Sequence, residues 1–339
     1  MNDTKLYKKL VARQFSRDFR AATEVATEPI PTPEANQIVV RNLYAGVNAS
    51  DVNITAGVYF ADANTPFDLG VEALGEITAV GENVTHLKVG DHVLTGLLGG
   101  GYREYFALDA AMAIPVPEAT PEIMTLIVSA LTASIGLRVV GEMKDGHTDT
   151  PEVVLVTAAA GGTGQYVVQI AKQAGHHVIG TCSTDEKVEY LRSIGCDRPI
   201  NYKKEDLHEV LKAEYPNGVN LVFESVGGAI FDACVDNLAK HGRLVICGFI
   251  SEYTSGTQTV TAPRIYHKLL WQSATVRGFL FSDFVEHVPA HVQMVMEDYF
   301  AGKLTATVDP EPFVGIEAIA DAVEYMHAGK NCGKVVIRY

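Results

Sequence analysis

Small residues cluster at one place in the chain where a backbone can approach a phosphate. The segment 158–164 is A-A-A-G-G-T-G, and it follows 153–157, a β-branched apolar run typical of a buried parallel strand. Helical apolar spacing over 165–173 and a second strand pattern over 177–181 come next. Because a helix N-terminus offers free N–H groups, this pattern predicts a dinucleotide-binding turn, with a purely structural turn as the alternative. The predicted cofactor contacts are Gly161, Gly162, Thr163 and Gly164.

The residues after the second predicted strand indicate which dinucleotide binds. An NAD site usually has an acidic residue there for the ribose 2′-hydroxyl, but Ser183 stands in that place and Lys187 lies a helical turn beyond it. A hydroxyl and an ammonium suit a 2′-phosphate, so we predict NADPH as the cofactor. Asp185 and Glu186 argue against this, although they also suit the first turn of a helix. We expect Tyr202, which follows a third short strand, to flank the adenine.

Composition and charge argue against several classes of partner. The 339-residue chain has a formal net charge of -14, which opposes binding to nucleic acid and to anionic membrane surfaces. Its five cysteines are scattered without a C-x-x-C pair, so we expect reduced thiols and a cytoplasmic location. We also expect no secretory signal, and no apolar run long enough to span a membrane.

The predicted pattern of strands and helices changes along the chain. Short strands at roughly ten-residue spacing come first, and strand–helix alternation follows, which predicts a parallel sheet with helices on both faces. We therefore predict an α/β protein with a mostly β domain over 1–127, completed by about 304–339, and a doubly wound parallel-sheet domain over 128–303. The polar segment 248–264 is expected to be a binding loop, and 271–281 is expected to be a strand.

Several short motifs are spread along the chain. They are Gly46-Val47-Asn48 with Asp51, Gly70-Val71-Glu72 with Gly75, Val89-Gly90-Asp91, the glycine motif at 159–164, and the closing Gly333-Lys334-Val335-Val336. As a set they resemble the medium-chain dehydrogenase/reductase superfamily over essentially the whole chain. Within it, the chain is similar to the zinc-independent quinone oxidoreductase and prostaglandin or enone reductase branches, and the motif Glu224-Ser225-Val226-Gly227-Gly228 is among the points of match. The resemblance implies a Rossmann domain, a GroES-like catalytic domain and a homodimer.

The residues at the superfamily's metal-ligand positions argue against zinc. Zinc alcohol dehydrogenases use a Cys and a His in the first domain, whereas this chain has Asn48 and Val71 in those places and keeps only the adjacent Glu72. No cysteine precedes Cys182, so the four cysteines of the structural zinc lobe are missing as well. Because zinc needs three or four N, S or O ligands, we predict no metal site.

The resemblance also implies a reaction and a set of site residues. Related enone reductases carry I-S-x-Y in a loop of the nucleotide domain, and this chain has Ile250-Ser251-Glu252-Tyr253. Tyr253 is therefore the first candidate to stabilise an enolate, with an ordinary exposed loop tyrosine as the alternative. Asn48 and Tyr59 are the second candidates, and a turn-capping amide is the alternative for Asn48. Four apolar residues are expected to line the nicotinamide pocket, or else to be plain core residues: Phe249, Ile250, Phe279 and Phe281. We also expect Asn331 to contact the cofactor.

These observations leave three functions open. The leading prediction is NADPH-dependent reduction of an α,β-unsaturated ketone, such as a 15-oxo-prostaglandin-like enone, by hydride transfer without zinc. NADPH:quinone oxidoreduction is the catalytic alternative. A non-catalytic NADPH-binding relative, which keeps the glycine turn but has no turnover, is the alternative from another class.

Overall fold

The computed structural model describes residues 5–59, 64–146, 150–260 and 263–339. The chain divides into two compact units. The first consists of Met1–Val128 together with Val308–Tyr339, and the second consists of Ser129–Thr307.

The described residues form the following strands and helices. The strands are β1 (Leu6–Ala12), β2 (Thr23–Pro29), β3 (Gln37–Gly46), β4 (Phe67–Asp68), β5 (Ala73–Val80), β6 (His92–Thr95), β7 (Tyr105–Asp109), β8 (Ile114–Val116), β9 (Val153–Val156), β10 (His177–Cys182), β11 (Arg198–Asn201), β12 (Val219–Glu224), β13 (Leu238–Ile246), β14 (Thr275–Gly278), β15 (Phe313–Val314) and β16 (Val336–Arg338). The α-helices are α1 (Phe19–Ala22), α2 (Ser50–Thr55), α3 (Pro121–Met124), α4 (Leu131–Ile135), α5 (Gly164–Gln173), α6 (Asp185–Ser193), α7 (Leu207–Glu214), α8 (Gly228–Asp236), α9 (Tyr266–Gln272), α10 (Val288–Phe300) and α11 (Ile319–His327). Short 3-10 helices cover Ala110–Met112, Ile250–Glu252, Phe281–His287 and Ile316–Ala318, and π-helical turns cover Leu126–Ala130 and Gly136–Val140.

A parallel sheet organises the second unit. Within its described residues, six strands pair in the order β11-β10-β9-β12-β13-β14, and every pair is parallel. Val154, Leu155 and Val156 of the central strand β9 have no exposed surface, as expected where helices cover both faces of a sheet. The strand order reverses between β9 and β12, and ligands of such sheets bind beyond the carboxyl ends of the strands at that reversal. The predicted parallel sheet is therefore confirmed.

Strand β3 is the centre of the first unit. In the described part of this unit it pairs antiparallel with β5, β7 and β16, and the larger sheet runs β15-β16-β3-β5-β6-β8. Alternate β3 residues Ile38 and Val40 pack with Ile77, Phe106 and Leu108 in a buried apolar cluster. The register sets Val336 of β16 opposite Gly46 of β3, so the last residues of the chain belong to this sheet. The prediction of a mostly β unit agrees with this sheet.

The predicted strand over 271–281 is confirmed only over Thr275–Gly278 and is wrong at both ends. Trp271 belongs to the helix α9, which ends where Ser273 adopts a left-handed φ of 49°, and only Thr275–Gly278 is a strand. Phe281 then begins a 3-10 helix. The β-type composition of this run misled the prediction because the helix starts upstream of it, at Tyr266.

The expectation that no apolar run is long enough to span a membrane is also wrong. The described helical stretch Pro121–Val140 has 20 residues and a mean hydropathy of 2.0, which is long and apolar enough to cross a membrane by length and composition. However, 83% of that apolar window is buried inside the protein, as in the core helix of a globular protein.

Candidate functional site

The glycine turn lies between β9 and α5, at the carboxyl edge of the parallel sheet. Ala158 opens it with a left-handed φ of 49°, and α5 begins at Gly164. A Cβ at Gly164 would lie 2.4 Å from the Ala158 carbonyl oxygen and 2.7 Å from the Ala159 Cα, so the packing of the turn itself requires this glycine. A Cβ at Gly161 would approach the same oxygen at 3.2 Å, a milder contact. The turn thus has the small-residue cradle and helix N-terminus that a pyrophosphate requires.

The two acidic residues after β10 are engaged in local structure. The Asp185 carboxylate accepts a hydrogen bond of 3.0 Å from Asn201 Nδ2 and forms an ion pair with Lys204. The hydrogen bond from Lys204 lowers the pKa of Asp185, and the hydrogen bond from its own backbone N–H lowers the pKa of Glu186. Thr184 caps α6, because its Oγ1 accepts a hydrogen bond from the Lys187 N–H at 3.3 Å. The Asp185 carboxylate therefore connects the first turn of α6 to Asn201 and Lys204, and the Glu186 carboxylate bonds within that turn.

The residues predicted to bind the adenosine end lie around this helix start. Ser183 is half-buried between the end of β10 and the cap residue, and Lys187 is half-buried in the first turn of α6. The Tyr202 N–H donates to the Cys182 carbonyl at 3.1 Å, which places Tyr202 beside the end of β10 with an exposed side chain. The structure thus brings Ser183, Lys187 and Tyr202 to the same edge of the sheet, and their contact with a cofactor stays a prediction.

A second loop at this edge is fixed by backbone hydrogen bonds. The N–H groups of Cys247, Ile250 and Ser251 donate to the carbonyls of Glu224, Ser225 and Val226 at 2.8, 3.1 and 3.0 Å. The buried Glu224 carboxylate in turn accepts from the N–H groups of Val226 and Gly227 at 2.8 and 3.0 Å. Burial raises the pKa of Glu224, against the effect of these donors. Sequence reasoning missed Glu224, although it stands in one of the recognised motifs.

Tyr253 lies within this loop and is 4% exposed, so the alternative of an ordinary exposed loop tyrosine is wrong. Its hydroxyl accepts a hydrogen bond from the Phe249 N–H at 3.3 Å, and the two rings meet edge to face with centroids 4.8 Å apart. A Cβ at Gly248 would lie 2.8 Å from the same hydroxyl, so Gly248 leaves room for it. The loop therefore fixes the position of the hydroxyl, and its role towards a substrate stays a prediction.

The other predicted nicotinamide residues differ in their environments. Phe279 is buried, contacts Phe284 edge to face at 5.2 Å, and would lie 3.0 Å from a Cβ at Gly136. These contacts are those of a core aromatic residue. Ile250 begins the 3-10 helix after Phe249 in the second loop, and Phe281 is half-buried at the start of the next 3-10 helix.

Asn48, in the first unit, has a fully engaged side chain. Its Nδ2 donates to Glu72 Oε1 at 2.9 Å and to the Gly46 carbonyl at 3.2 Å, and its Oδ1 accepts from Lys334 Nζ at 2.7 Å. Its backbone N–H donates to Asp51 Oδ2 at 2.8 Å. Asn48 thus ties together the turn that leads from β3 into α2, and its predicted contact with a cofactor or substrate remains to be tested.

Glu72 and Lys334 form a buried ion pair around this amide. Lys334 Nζ lies 2.6 Å from Glu72 Oε1, and the two side chains are 4% and 0% exposed. A Cβ at Gly46 would lie 2.2 Å from Glu72 Oε1, so only glycine leaves room for the carboxylate there. Glu72 Oε2 has no hydrogen-bond partner within the described chain. Lys334 was not predicted as a site residue, because a lysine in a chain tail usually belongs to a solvated surface.

A second buried pair lies next to this cluster. The Tyr102 hydroxyl donates to Asp51 Oδ2 at 2.5 Å, and both side chains are buried. Burial raises the pKa of Asp51 to about 6, and burial also raises the pKa of Tyr102 well above its ordinary value. This hydrogen bond holds Asp51 in place at the start of α2.

The remaining predicted residues of the first unit are Tyr59 and Asn331, and each forms a local hydrogen bond. The Tyr59 hydroxyl accepts a weak hydrogen bond from Asn53 Nδ2 at 3.4 Å. Asn331 Nδ2 donates to the Gly333 carbonyl at 2.8 Å in the loop before β16. These bonds give no sign of a ligand, so both assignments stay predictions.

Two family models match the chain, one to each unit. The alcohol dehydrogenase GroES-like domain matches residues 34–118, and the zinc-binding dehydrogenase model matches residues 162–297. Prostaglandin reductase-3 from Mus musculus is 44% identical over 97% of this chain and 88% of its own length. A probable quinone oxidoreductase from Leishmania amazonensis is 42% identical over 99% of each chain. A mycobacterial protein solved in complex with NADPH has a TM-score of 0.83 at 25% identity and covers 99% of this chain and 100% of its own.

The chain therefore belongs to the medium-chain dehydrogenase/reductase superfamily. Its relatives include prostaglandin reductases and quinone oxidoreductases, which confirms the branch that the sequence motifs indicate. The predicted fold class, a Rossmann-type parallel sheet with a GroES-like β unit, is confirmed as well.

The donor chemistry at the family's catalytic metal position does not fit zinc. Asn48 and Val71 replace the Cys and the His, and the oxygens of Asn48 and Glu72 accept from the Lys334 ammonium. Among the residues that the structure describes, no group of three His, Cys, Asp or Glu side chains is arranged to hold a metal ion. The name of the matching family model thus does not describe this chain's own donor set.

Proposed function

We propose that the protein is an NADPH-dependent oxidoreductase that reduces the activated C=C bond of an α,β-unsaturated ketone or aldehyde without a metal. The observation that carries the choice of cofactor is that Asp185 is bonded to Asn201 and Lys204, and Glu186 to its own backbone N–H. Ser183 and Lys187 supply a hydroxyl and an ammonium beside the end of β10, the groups that suit a 2′-phosphate. Relatives named 2-alkenal reductase and (+)-pulegone reductase, both 30% identical or better over part of the chain, support the reaction class.

The residues of the second unit divide the work of binding and orientation. The N-terminus of α5 and the turn at Gly161–Gly164 bind the pyrophosphate through backbone N–H groups. When bound, NADPH supplies the hydride. The two hydrogen-bonded loops after β12 and β13 hold Phe249 and Ile250, which would lie against the nicotinamide.

The proposed role of Tyr253 is to stabilise negative charge on the carbonyl oxygen of the substrate. A phenolic hydroxyl can accept one hydrogen bond and donate another, so acceptance from the Phe249 N–H is compatible with donation to an enolate. A donor held in place before the reaction loses little free energy in reorganisation, which favours the charged transition state.

Reduction of a quinone is the second candidate, because the Leishmania amazonensis relative named a probable quinone oxidoreductase is 42% identical over 99% of this chain. Steady-state NADPH oxidation separates the two candidates, with a long-chain enone and a small ortho-quinone as acceptors and NADH as the control cofactor. Turnover of the enone alone supports the proposal, and turnover of the quinone alone supports the second candidate. NADPH binding without turnover of either acceptor favours a non-catalytic relative.

We further propose a homodimer formed through the β14 edge. Strand β14 ends the sheet, and the adjacent helix α9 exposes Tyr266, Leu270 and Trp271, the last of them 75% exposed. An open strand edge beside exposed apolar side chains favours isologous pairing of two copies. Light scattering should give twice the chain mass for the wild type and a shift towards monomer for Trp271→Glu. A wild-type monomer contradicts this assembly.

The proposed location is the cytoplasm. Burial raises the pKa of the Cys196 and Cys247 thiols to about 12, so these thiols are unreactive. Cysteines that form no disulfide bond suit a reducing compartment. Microscopy of the protein with a fluorescent tag at either end tests this location, and accumulation in an organelle or at a membrane contradicts it.

A further inference from the structure

Glutamines repeat every four residues along α5, the helix that begins at the glycine turn. They are Gln165, Gln169 and Gln173, so they lie one above another on one face of the helix. Each of them bonds to the backbone of 303–307, the segment with which the second unit ends. This segment lies outside the helices and strands that the structure describes, and the side chains of α5 hold it.

Two of these amides bond to the segment at two points each. Gln169 Nε2 donates to the Thr305 carbonyl at 2.9 Å, and its Oε1 accepts from the Thr305 N–H at 2.8 Å. Gln165 bonds in the same way to the Thr307 carbonyl and N–H, at 3.0 and 2.7 Å. Four residues of a helix advance about 6 Å and two residues of an extended chain about 6.6 Å, so the two spacings match. The amides thus pair with the segment as the backbone of a neighbouring strand would.

Gln165 has further bonds that the other glutamines do not need for this pairing. Its side chain is fully buried, and its Oε1 also accepts from the Tyr190 hydroxyl of α6 at 3.1 Å. Its backbone N–H donates to the Gly161 carbonyl within the glycine turn at 3.1 Å. Because a buried amide is unfavourable without partners, these bonds fix the residue in one position. Gln165 therefore joins the glycine turn, α6 and the segment 303–307.

We propose that Gln165 is a positioning residue for NADPH. Through Thr307 and Tyr190 it holds the first turn of α5 in the arrangement that binds the pyrophosphate, before the cofactor binds. The inference rests on the proposed assignment of the glycine turn to NADPH. N–H groups that are already in place need little further ordering, which raises affinity. By linkage, bound NADPH strengthens the bonds between Gln165 and Thr307 by the same factor.

The first test compares the NADPH affinity of Gln165→Met with that of a matched control, Gln173→Met. Gln173 is an exposed glutamine at the far end of the same helix, and its Nε2 donates to the Lys303 carbonyl at 2.6 Å. Methionine keeps the length of the side chain and removes the amide. We expect Gln165→Met to raise the Kd of NADPH roughly fivefold or more, as for coupled sites in general, and Gln173→Met to leave it nearly unchanged.

The second test measures hydrogen exchange at the Thr307 N–H with and without saturating NADPH. A contact that is only structural predicts the same exchange rate in both states. The proposal predicts that NADPH slows this exchange roughly fivefold or more in the wild type and in Gln173→Met. In Gln165→Met, where the acceptor of this N–H is gone, the slowing should be lost.

The outcomes separate this inference from the proposed function. Wild-type binding of NADPH with an equal Kd for Gln165→Met would overturn the inference alone, as would equal weakening by Gln173→Met or exchange at Thr307 that does not respond to NADPH. Failure of the wild type to bind NADPH would contradict the proposed function and this inference with it. If Gln165→Met does not fold, Tyr190→Phe replaces it, because this change removes one hydroxyl from the Gln165 amide. A raised Kd for NADPH in Tyr190→Phe supports the proposal, and an unchanged Kd overturns it.

Discussion

Substitution of Gly161 by alanine separates the two explanations of the glycine turn, which are cofactor binding and packing. An added Cβ at Gly161 would approach the Ala158 carbonyl oxygen at 3.2 Å, which a shift of a few tenths of an ångström relieves. We therefore expect Gly161→Ala to change the free energy of unfolding by no more than about 1 kcal/mol. Gly164→Ala would place its Cβ 2.4 Å from the same oxygen and should cost about 1–3 kcal/mol or more.

Binding of NADPH should respond in a different way. The methyl group at Gly161 adds bulk beside the N–H groups that we assign to the pyrophosphate. The loss of one hydrogen bond to a charged oxygen costs about 1.5–3 kcal/mol, which corresponds to a dissociation constant raised roughly 10- to 100-fold. The effect on cofactor binding should thus exceed the effect on folding for this variant.

The assay combines two measurements on the wild type and on Gly161→Ala. Calorimetric or fluorescence titration gives the dissociation constant of NADPH, and urea unfolding gives the stability. A variant that folds like the wild type and binds NADPH equally well would refute the assignment of this turn to the cofactor. A stability loss as large as that of Gly164→Ala would show that Gly161 is required for packing.

Three further predictions concern single side chains. Lys187→Ala should raise the KM for NADPH roughly tenfold or more and leave the KM for NADH nearly unchanged, because only NADPH has a 2′-phosphate; equal changes would contradict the 2′-phosphate site. Tyr253→Phe should lower kcat on enones roughly tenfold or more, and an unchanged kcat would assign enolate stabilisation to another group. The folded-state pKa of Asp51, about 6, exceeds its ordinary value of 3.8, so the folded protein binds this proton more tightly than the unfolded chain. Asp51 should therefore cost about 3 kcal/mol of stability as the pH rises from about 4 to about 6. Urea unfolding across this range should show a smaller fall with Asp51→Asn, and equal pH dependence would contradict the assignment.

The nucleotide-binding half was predictable because its signals are local. A buried strand, a turn of small residues and a helix follow one another within 153–173, and the structure has β9, the turn and α5 there. The place of Asp185 and Glu186 in the first turn of a helix was also open to prediction, because both stand directly after a capping threonine in a helical pattern. Such features depend on neighbours in sequence, which the sequence displays directly.

The features that the sequence did not reveal depend on distant pairing. Lys334 looks like a solvated tail lysine until β16 pairs with β3 and brings it to Asn48. Tyr253 lies in a polar loop, and its burial follows from hydrogen bonds between that loop and the residues after β12. The error at Trp271 has a different cause, since aromatic residues, which are common in strands, also occur on an exposed helix such as α9.

The central claim is that this protein transfers hydride from NADPH to an enone. The most direct measurement is the oxidation of NADPH by the purified protein with a long-chain enone, with product analysis to identify the reduced bond and with NADH in place of NADPH as the control. We expect saturable oxidation of NADPH, a saturated ketone as the product, and a much lower kcat/KM with NADH. Absence of the saturated ketone, or equal use of NADH, would contradict the claim.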